Sequence, residues 1–404
     1  MKNARLIAAG CAAALAAVST FTLADDDDRG RFPQNAAFTT LIVTPLAIEG
    51  LTGDAAGNLY TTGRELTAGV NCPVWRINIA KPSLVPVGFI PNAAACNPSG
   101  IAFDEAGNLY VADGGAAATV WKLRPDASNP LVATAFATGV PGTNGLAFDR
   151  DGNLWTGDGV TGQGRVWKIV PSGGACEPAF KGCVEAFRIQ PMRNGADLGG
   201  DIAGRGVGRE NRTVPIENAQ NLVANGLAFT PEGDLYIADT ARGAIWKAEF
   251  NRRGELKNAV DCDTTFHEKT LCLDSVLVAH PYLEGTDGIA LDRAGNIWNS
   301  ANERNAIVVV TRQGVSEVFR NPANAAGLRN SADATVGNDH ILETPTSPVL
   351  LGKIFCTANS DGNRRDNSPN APGEINNAPD STRRGKISCM DQELNIPGQR
   401  LPVR

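Results

Sequence analysis

Glu49, Asn144, Asn225 and Asp287 lie far apart in the chain, yet each stands directly before a glycine that opens a short apolar run. The runs are Glu49-Gly50-Leu51, Asn144-Gly145-Leu146-Ala147-Phe148, Asn225-Gly226-Leu227-Ala228-Phe229 and Asp287-Gly288-Ile289-Ala290-Leu291. Ser99-Gly100-Ile101-Ala102-Phe103 has the same form. Two carboxylates and two amide oxygens are ligands for a hard divalent cation. Calcium tolerates such a mixed set and leaves room for water, whereas magnesium demands tight octahedral geometry. Zinc and manganese stay open as alternatives. A plainer reading holds for any one of these residues, since Asn or Asp before Gly often forms an Asx turn. Repetition at equivalent places favours a shared site lined on one side, with Ser99 and Ser347 at the remaining two positions and Ser99 as a candidate substrate contact.

Something must bring these positions together, and the repeat supplies it. Each opening run reaches a Gly-centred turn and a second apolar run, as in Leu109-Tyr110-Val111-Ala112-Asp113 and Leu235-Tyr236-Ile237-Ala238-Asp239. A third run carries an aromatic in Val74-Trp75, Val120-Trp121, Val166-Trp167 and Ile245-Trp246. A fourth precedes the next copy. Short β-branched and aromatic runs with Gly turns are strand and hairpin signals, and repetition at this period marks a repeat architecture. Four strands per copy make a propeller blade. The copies open at residues 49, 99, 144, 225 and 287, and an eroded sixth opens near Thr346-Ser347-Pro348. The expectation is an all-β, six-bladed β-propeller with four-stranded blades. Residues 37–43 are expected to close the ring by pairing with the last blade, which removes free sheet edges. The opening residues then converge at one mouth of the central channel. Trp121, Trp167 and Trp246 are assigned to packing between blades.

Outside the repeat, residues 1–24 read as a secretory leader, with Lys2 and Arg5 ahead of an Ala-rich apolar run. Residues 25–36 form an acidic flank, and 37–404 a single propeller. Blade three carries an insertion at about 173–222, and a polar loop spans about 357–385. Eight cysteines follow the leader and suggest four sequential disulfides: Cys72 with Cys96, Cys176 with Cys183, Cys262 with Cys272, Cys356 with Cys389. Formal charge is −6, with no basic cluster for nucleic acid and no later apolar run of membrane-spanning length. A periplasmic or secreted monomer acting on a small molecule is expected. Asp149-Arg150-Asp151-Gly152-Asn153 imitates a calcium loop but lacks the glutamate at its twelfth position, and reads as a hairpin turn.

The Glu-Gly of the first copy, the Asn-Gly-Leu-Ala openings and the Asp-Gly-Ile-Ala opening resemble the regucalcin/gluconolactonase (senescence-marker-protein) six-bladed propellers. Diisopropylfluorophosphatase and paraoxonase are similar at greater distance. The resemblance spans about residues 37–355. It implies a catalytic metal, usually calcium, held by Glu49, Asn144, Asn225 and Asp287. It also implies that Asp287 acts as general base or nucleophile. The expected reaction is opening of a lactone or related ester, with the metal as Lewis acid. His340 is a candidate proton shuttle at the mouth, although an ordinary loop histidine is the plainer reading. His267 and His280 have no paired partner in sequence. Two other functions compete: a metal-free propeller resembling strictosidine synthase, and a binding propeller with structural calcium. The long blade-three insertion, the eroded sixth blade and the disulfides depart from the family pattern.

Overall fold

Asp149 shows how the repeated turn is held. Its carboxylate accepts from the backbone amides of Asp151 and Asn153 at 3.0 and 2.9 Å, and from Trp155 Nε1 at 2.9 Å. Asp54, Asp104 and Asp292 do the same for Asn58 and Tyr60, Asn108 and Tyr110, Asn296 and Trp298. The Asp-x-x-Gly-Asn-x-aromatic run is thus a structural clasp that ties a turn to the strand after it. Burial opposes the charge on Asp104, but hydrogen bonds from Asn108 and Tyr110 outweigh it. They hold its carboxyl below the ordinary value.

The structure is a computed structural model. It describes residues 32–33, 36–65, 67–92, 95–190, 222–257, 262, 269–321, 332–333, 338–339, 341–360 and 384–401. The expected leader at 1–24, the Gly/Arg/Asn-rich stretch Arg193 to Arg212, His267 and His340 lie outside these residues.

Hairpins, clasped in this way in blades one, two, three and five, build six mainly antiparallel sheets, each a blade. Their inner strands are Ile48–Gly53, Pro98–Phe103, Thr143–Phe148, Ala224–Phe229, Thr286–Leu291 and Pro345–Leu351. Second strands follow at Asn58–Gly63, Leu109–Asp113, Leu154–Asp158, Leu235–Asp239, Ile297–Ala301 and Ile354–Asn359. The strand Phe38–Val43 pairs antiparallel with Lys386–Met390, the third strand of the last blade. The N-terminal strand therefore closes the ring, as the sequence suggests.

Blades two and three depart from the four-stranded plan. Gly174–Ala175, which follows the third strand of blade three, runs parallel to the outer strand Thr134–Thr138 of blade two. Thr270–Leu271 runs parallel to the outer strand Cys183–Ile189 of blade three. Each short addition caps an outer edge that would otherwise present unpaired backbone groups. That outer strand of blade three itself lies inside the stretch read from sequence as an insertion. In the same way Thr357–Asn359 end the second strand of blade six rather than starting a loop.

The apolar side chains gather into six clusters, one at each blade-to-blade interface. Trp167 fills the interface of blades two and three, Trp246 that of three and four, and Trp121 packs between one and two. Each fully buried aromatic or large aliphatic contributes roughly 1.5–3 kcal/mol relative to exposure. All four sequential disulfides are formed. Cys356 and Cys389 face each other across the second and third strands of blade six. Among the described residues, no helix is long and apolar enough to cross a membrane.

Candidate active site at the ring mouth

Every inner strand carries the same irregularity at its start. Ile48 faces Gly63 but Leu51 faces Thr61, so Glu49 and Gly50 together oppose Thr62 alone. Thr143 and Leu146, Ala224 and Leu227, and Thr286 and Ile289 bracket the same slip in blades three, four and five. This is a β-bulge, which bends the strand and re-aims the side chain at its first residue. The bulge selects the equivalent position in each blade: Glu49, Ser99, Asn144, Asn225, Asp287 and, in blade six, Thr346. Ser347, the sixth position proposed from sequence, instead occupies the place of the glycine. The blade-six repeat is shortened by one residue between its paired strands, with Pro345 facing Asn359, which hides the offset.

The glycine after each opening residue is explained by close approach. A Cβ on Gly100 would lie 2.1 Å from the carbonyl oxygen of Asn144, and one on Gly145 2.4 Å from that of Asn225. For Gly226 the obstruction is the Asp287 oxygen at 2.4 Å, and for Gly288 the Thr346 oxygen at 2.4 Å. Gly50 meets Ser99 in the same way at 2.0 Å. Thr346 Oγ1 donates to the Glu49 carbonyl at 2.7 Å and completes the circuit. The six openings therefore touch one another in order around a closed ring. A side chain at any of these five glycines would force neighbouring blades apart.

Glu49, Asn225 and Asp287 are each steadied by the residue fifteen places later, at the start of the blade's next loop. Arg64 Nη2 donates to Glu49 Oε2 at 2.7 Å. Thr240 Oγ1 accepts from Asn225 Nδ2 at 3.1 Å, and Asn302 Nδ2 donates to Asp287 Oδ2 at 3.0 Å. Gly159 stands against Asn144; a Cβ there would lie 2.5 Å from Asn144 Nδ2. Sequence reasoning missed Arg64, Thr240 and Asn302 because their side chains differ. The constant spacing of fifteen from each opening residue was the signal that could have found them.

A hydrogen bond also crosses the ring. Asn144 Nδ2 donates to Glu49 Oε1 at 3.0 Å, bridging blades one and three past Ser99. Asn144, Asn225 and Asp287 are 8%, 5% and 6% exposed, so the set is nearly withdrawn from solvent. The Asn225 Oδ1 atom is buried and has no hydrogen-bond partner among the described residues. A buried amide oxygen left unmatched carries a desolvation cost of about 1–3 kcal/mol unless something binds it. Ser99 is buried, and its hydroxyl lies 3.2 Å from the Thr143 carbonyl. Asp158, whose neighbour Gly159 abuts Asn144, is pushed above the ordinary carboxylate range by burial. Hydrogen bonds from Thr161 and Val160 oppose that rise. His280 caps a short 3-10 turn, its Nδ1 accepting from the Tyr282 amide at 3.1 Å. Burial and then the Arg304 charge lower its pKa.

The donor set suits a hard cation. Carboxylates at Glu49 and Asp287 supply charge, and the unmatched Asn225 oxygen supplies a neutral ligand. Among the described residues, no group of three His, Cys, Asp or Glu side chains gathers to hold a metal. A cation site here would have to include the amides.

Fold and mouth together define a six-bladed propeller with a polar ring at one end of its channel. Residues 207–327 match the family model described as SMP-30/Gluconolactonase/LRE-like region, a stretch that contains Asn225 and Asp287. No curated protein matches the chain. Among solved structures, a luciferin-regenerating enzyme is similar at 13% identity and a TM-score of 0.55, over 91% of this chain and 99% of that one. Regucalcin from Agrobacterium tumefaciens is similar at 15% identity and a TM-score of 0.54, over 92% and 99%. At such identities the likeness establishes the propeller fold.

Proposed function

We propose that the chain is an exported hydrolase that opens lactones or related esters, with a divalent cation, calcium first, held by Glu49, Asn144, Asn225 and Asp287. One observation supports this above the rest. The four residues occupy equivalent bulges of one closed ring, and one of them, Asn225, keeps a buried oxygen unmatched. A bound cation would supply Lewis acidity toward the carbonyl oxygen of the substrate. Calcium is also the ion of regucalcin, a calcium-binding protein that shares the fold.

The chain's own residues supply the rest. Asp287 takes the proton of the attacking water, or attacks directly and is released by water later. Asn302 fixes the direction of its carboxylate through the 3.0 Å bond to Oδ2. Thr240 holds the Asn225 amide, so its oxygen is set before any ligand arrives. That preorganisation reduces the rearrangement needed on binding. Ser99 lines the same ring and is proposed as a substrate contact, as is His340. Export is supported by four disulfides, which persist in oxidising compartments.

A metal-free propeller is favoured by one specific observation: both Glu49 oxygens already accept hydrogen bonds, from Arg64 and Asn144. The two functions separate in one assay. A panel of lactones and aryl esters is tested before and after chelation, with calcium added back, on wild type and Asp287→Ala. Turnover lost on chelation, restored by calcium and absent in the variant is expected. Turnover indifferent to both changes overturns the proposal.

A further inference from the structure

We infer that Arg64 is a built-in counter-cation of the mouth, and that a metal ion binding at Glu49 does so by displacing it. The inference rests on the cation site proposed above and adds what controls its affinity.

Both oxygens of the Glu49 carboxylate are engaged by the protein itself. Oε2 accepts from Arg64 at 2.7 Å and Oε1 from Asn144 at 3.0 Å. Asn144 presents its N–H to Glu49, the end of the amide that cannot ligate a metal. The pair is not a loose surface bridge, because each side chain is only 12% exposed. Solvent screens such a pair far less than one on the surface. Among the residues at this loop position, Gly114, Gly159, Thr240, Asn302 and, in the shortened register of blade six, Ser360 are neutral, and Arg64 alone brings charge. Two ring carboxylates against one guanidinium leave a local charge of about −1 rather than −2 for an incoming dication, and at a few ångströms each unit charge matters greatly.

The consequence is an exchange of partners. When the ion arrives, Glu49 gives up the Arg64 guanidinium, and Asn144 turns its amide oxygen inward. Arg64 then opposes binding, and its removal strengthens it. The Arg64 backbone is held separately, its N–H donating to the Ala47 carbonyl at 2.8 Å. A side-chain substitution therefore leaves the loop's anchor in place.

The test is calorimetric titration of calcium chloride into the full mature chain, disulfides intact, for wild type, Arg64→Gln, Arg64→Lys and Asp287→Asn. Circular dichroism checks that each is folded. Arg64→Gln should bind calcium at least tenfold more tightly than wild type, and Arg64→Lys, which keeps the charge, within about threefold of it. Asp287→Asn should bind weakly or not at all. Calcium bound by wild type but no tighter by Arg64→Gln overturns the inference and leaves the cation site standing. Equal tightening in Arg64→Lys also overturns it, since packing and not charge would then be the cause. No calcium uptake by folded wild type or Arg64→Gln overturns the cation site itself. A second measurement needs no variant. In arginine-labelled wild type, the Arg64 guanidinium resonance should move as calcium is added, and an unmoved resonance on a calcium-loaded protein overturns the displacement.

Discussion

Gly226→Ala is the substitution that most directly probes the ring. A methyl at this position would stand 2.4 Å from the Asp287 carbonyl oxygen, 2.7 Å from Gly288 Cα and 2.9 Å from the Ile289 nitrogen. All three are backbone atoms of the next inner strand, so no side chain can swing aside. Ordinary contact begins near 3.4 Å, which leaves the strands about 1.0 Å too close. Relief requires blades four and five to separate by about that distance at the mouth. Overpacking of this kind costs about 1–3 kcal/mol. For a domain of this size the midpoint of thermal unfolding should fall by only a few degrees. The effect on turnover is larger. A displacement of about 1 Å of a reacting group reduces rate by roughly a hundredfold, and the strand that moves carries Asp287. The assay pairs thermal unfolding with lactone hydrolysis, and uses Gly107→Asn as control. Gly107 sits in a hairpin turn with φ +83° and open space where a Cβ would go. Asn tolerates that conformation, so the control should lose little stability and no activity. A Gly226→Ala protein with wild-type melting and wild-type turnover would refute the close-approach reasoning.

Other outcomes follow from separate parts of the molecule. Asp239 and Arg242 form an ion pair with 0% and 1% side-chain exposure, and Trp246 Nε1 donates to the same carboxylate oxygen. Asp239→Ala should destabilise by about 3–5 kcal/mol in chemical denaturation, because it strands a buried guanidinium. Removing both partners together should cost less than that. The Cys356–Cys389 bridge spans 33 residues. Replacing both with alanine should cost about 3–4 kcal/mol from the entropy of the unfolded loop, read as a lower urea midpoint. The lowered pKa of Asp104 gives an acid-side signature. Its contribution is fully present above the ordinary value of 3.8 and is lost as pH falls through the folded value. The melting-temperature gap between wild type and Asp104→Asn should hold constant at neutral pH and narrow below pH 3.8.

The blades were readable because five copies open on a glycine and four of them, blades one, two, three and five, add an Asp-x-x-Gly-Asn clasp. Together they fix the hairpin and its direction, so ring closure by residues 37–43 also followed. Sequential disulfides were legible because each pair lies within one blade or the segment beside it. Less visible were features that depend on register rather than residue type. Thr346 replaces Ser347 because pairing in blade six is one residue shorter, and Pro348 disguises the strand. The added edge strands Gly174–Ala175 and Thr270–Leu271 are two residues each, too short to show alternation. Arg64, Thr240 and Asn302 share no side-chain chemistry, so the only sequence sign of them is their constant spacing of fifteen from the opening residues, and the hydrogen bonds show what that spacing does.

The central claim is that Glu49, Asn144, Asn225 and Asp287 act as one set of ligands. Equilibrium dialysis of radioactive calcium against wild type, Asn225→Leu and Asp287→Asn tests it directly. The expected result is one ion per chain for wild type and loss of that ion in both variants, although the two residues stand on different blades. Calcium retained in full by either folded variant, or taken up by none of the three, would contradict it.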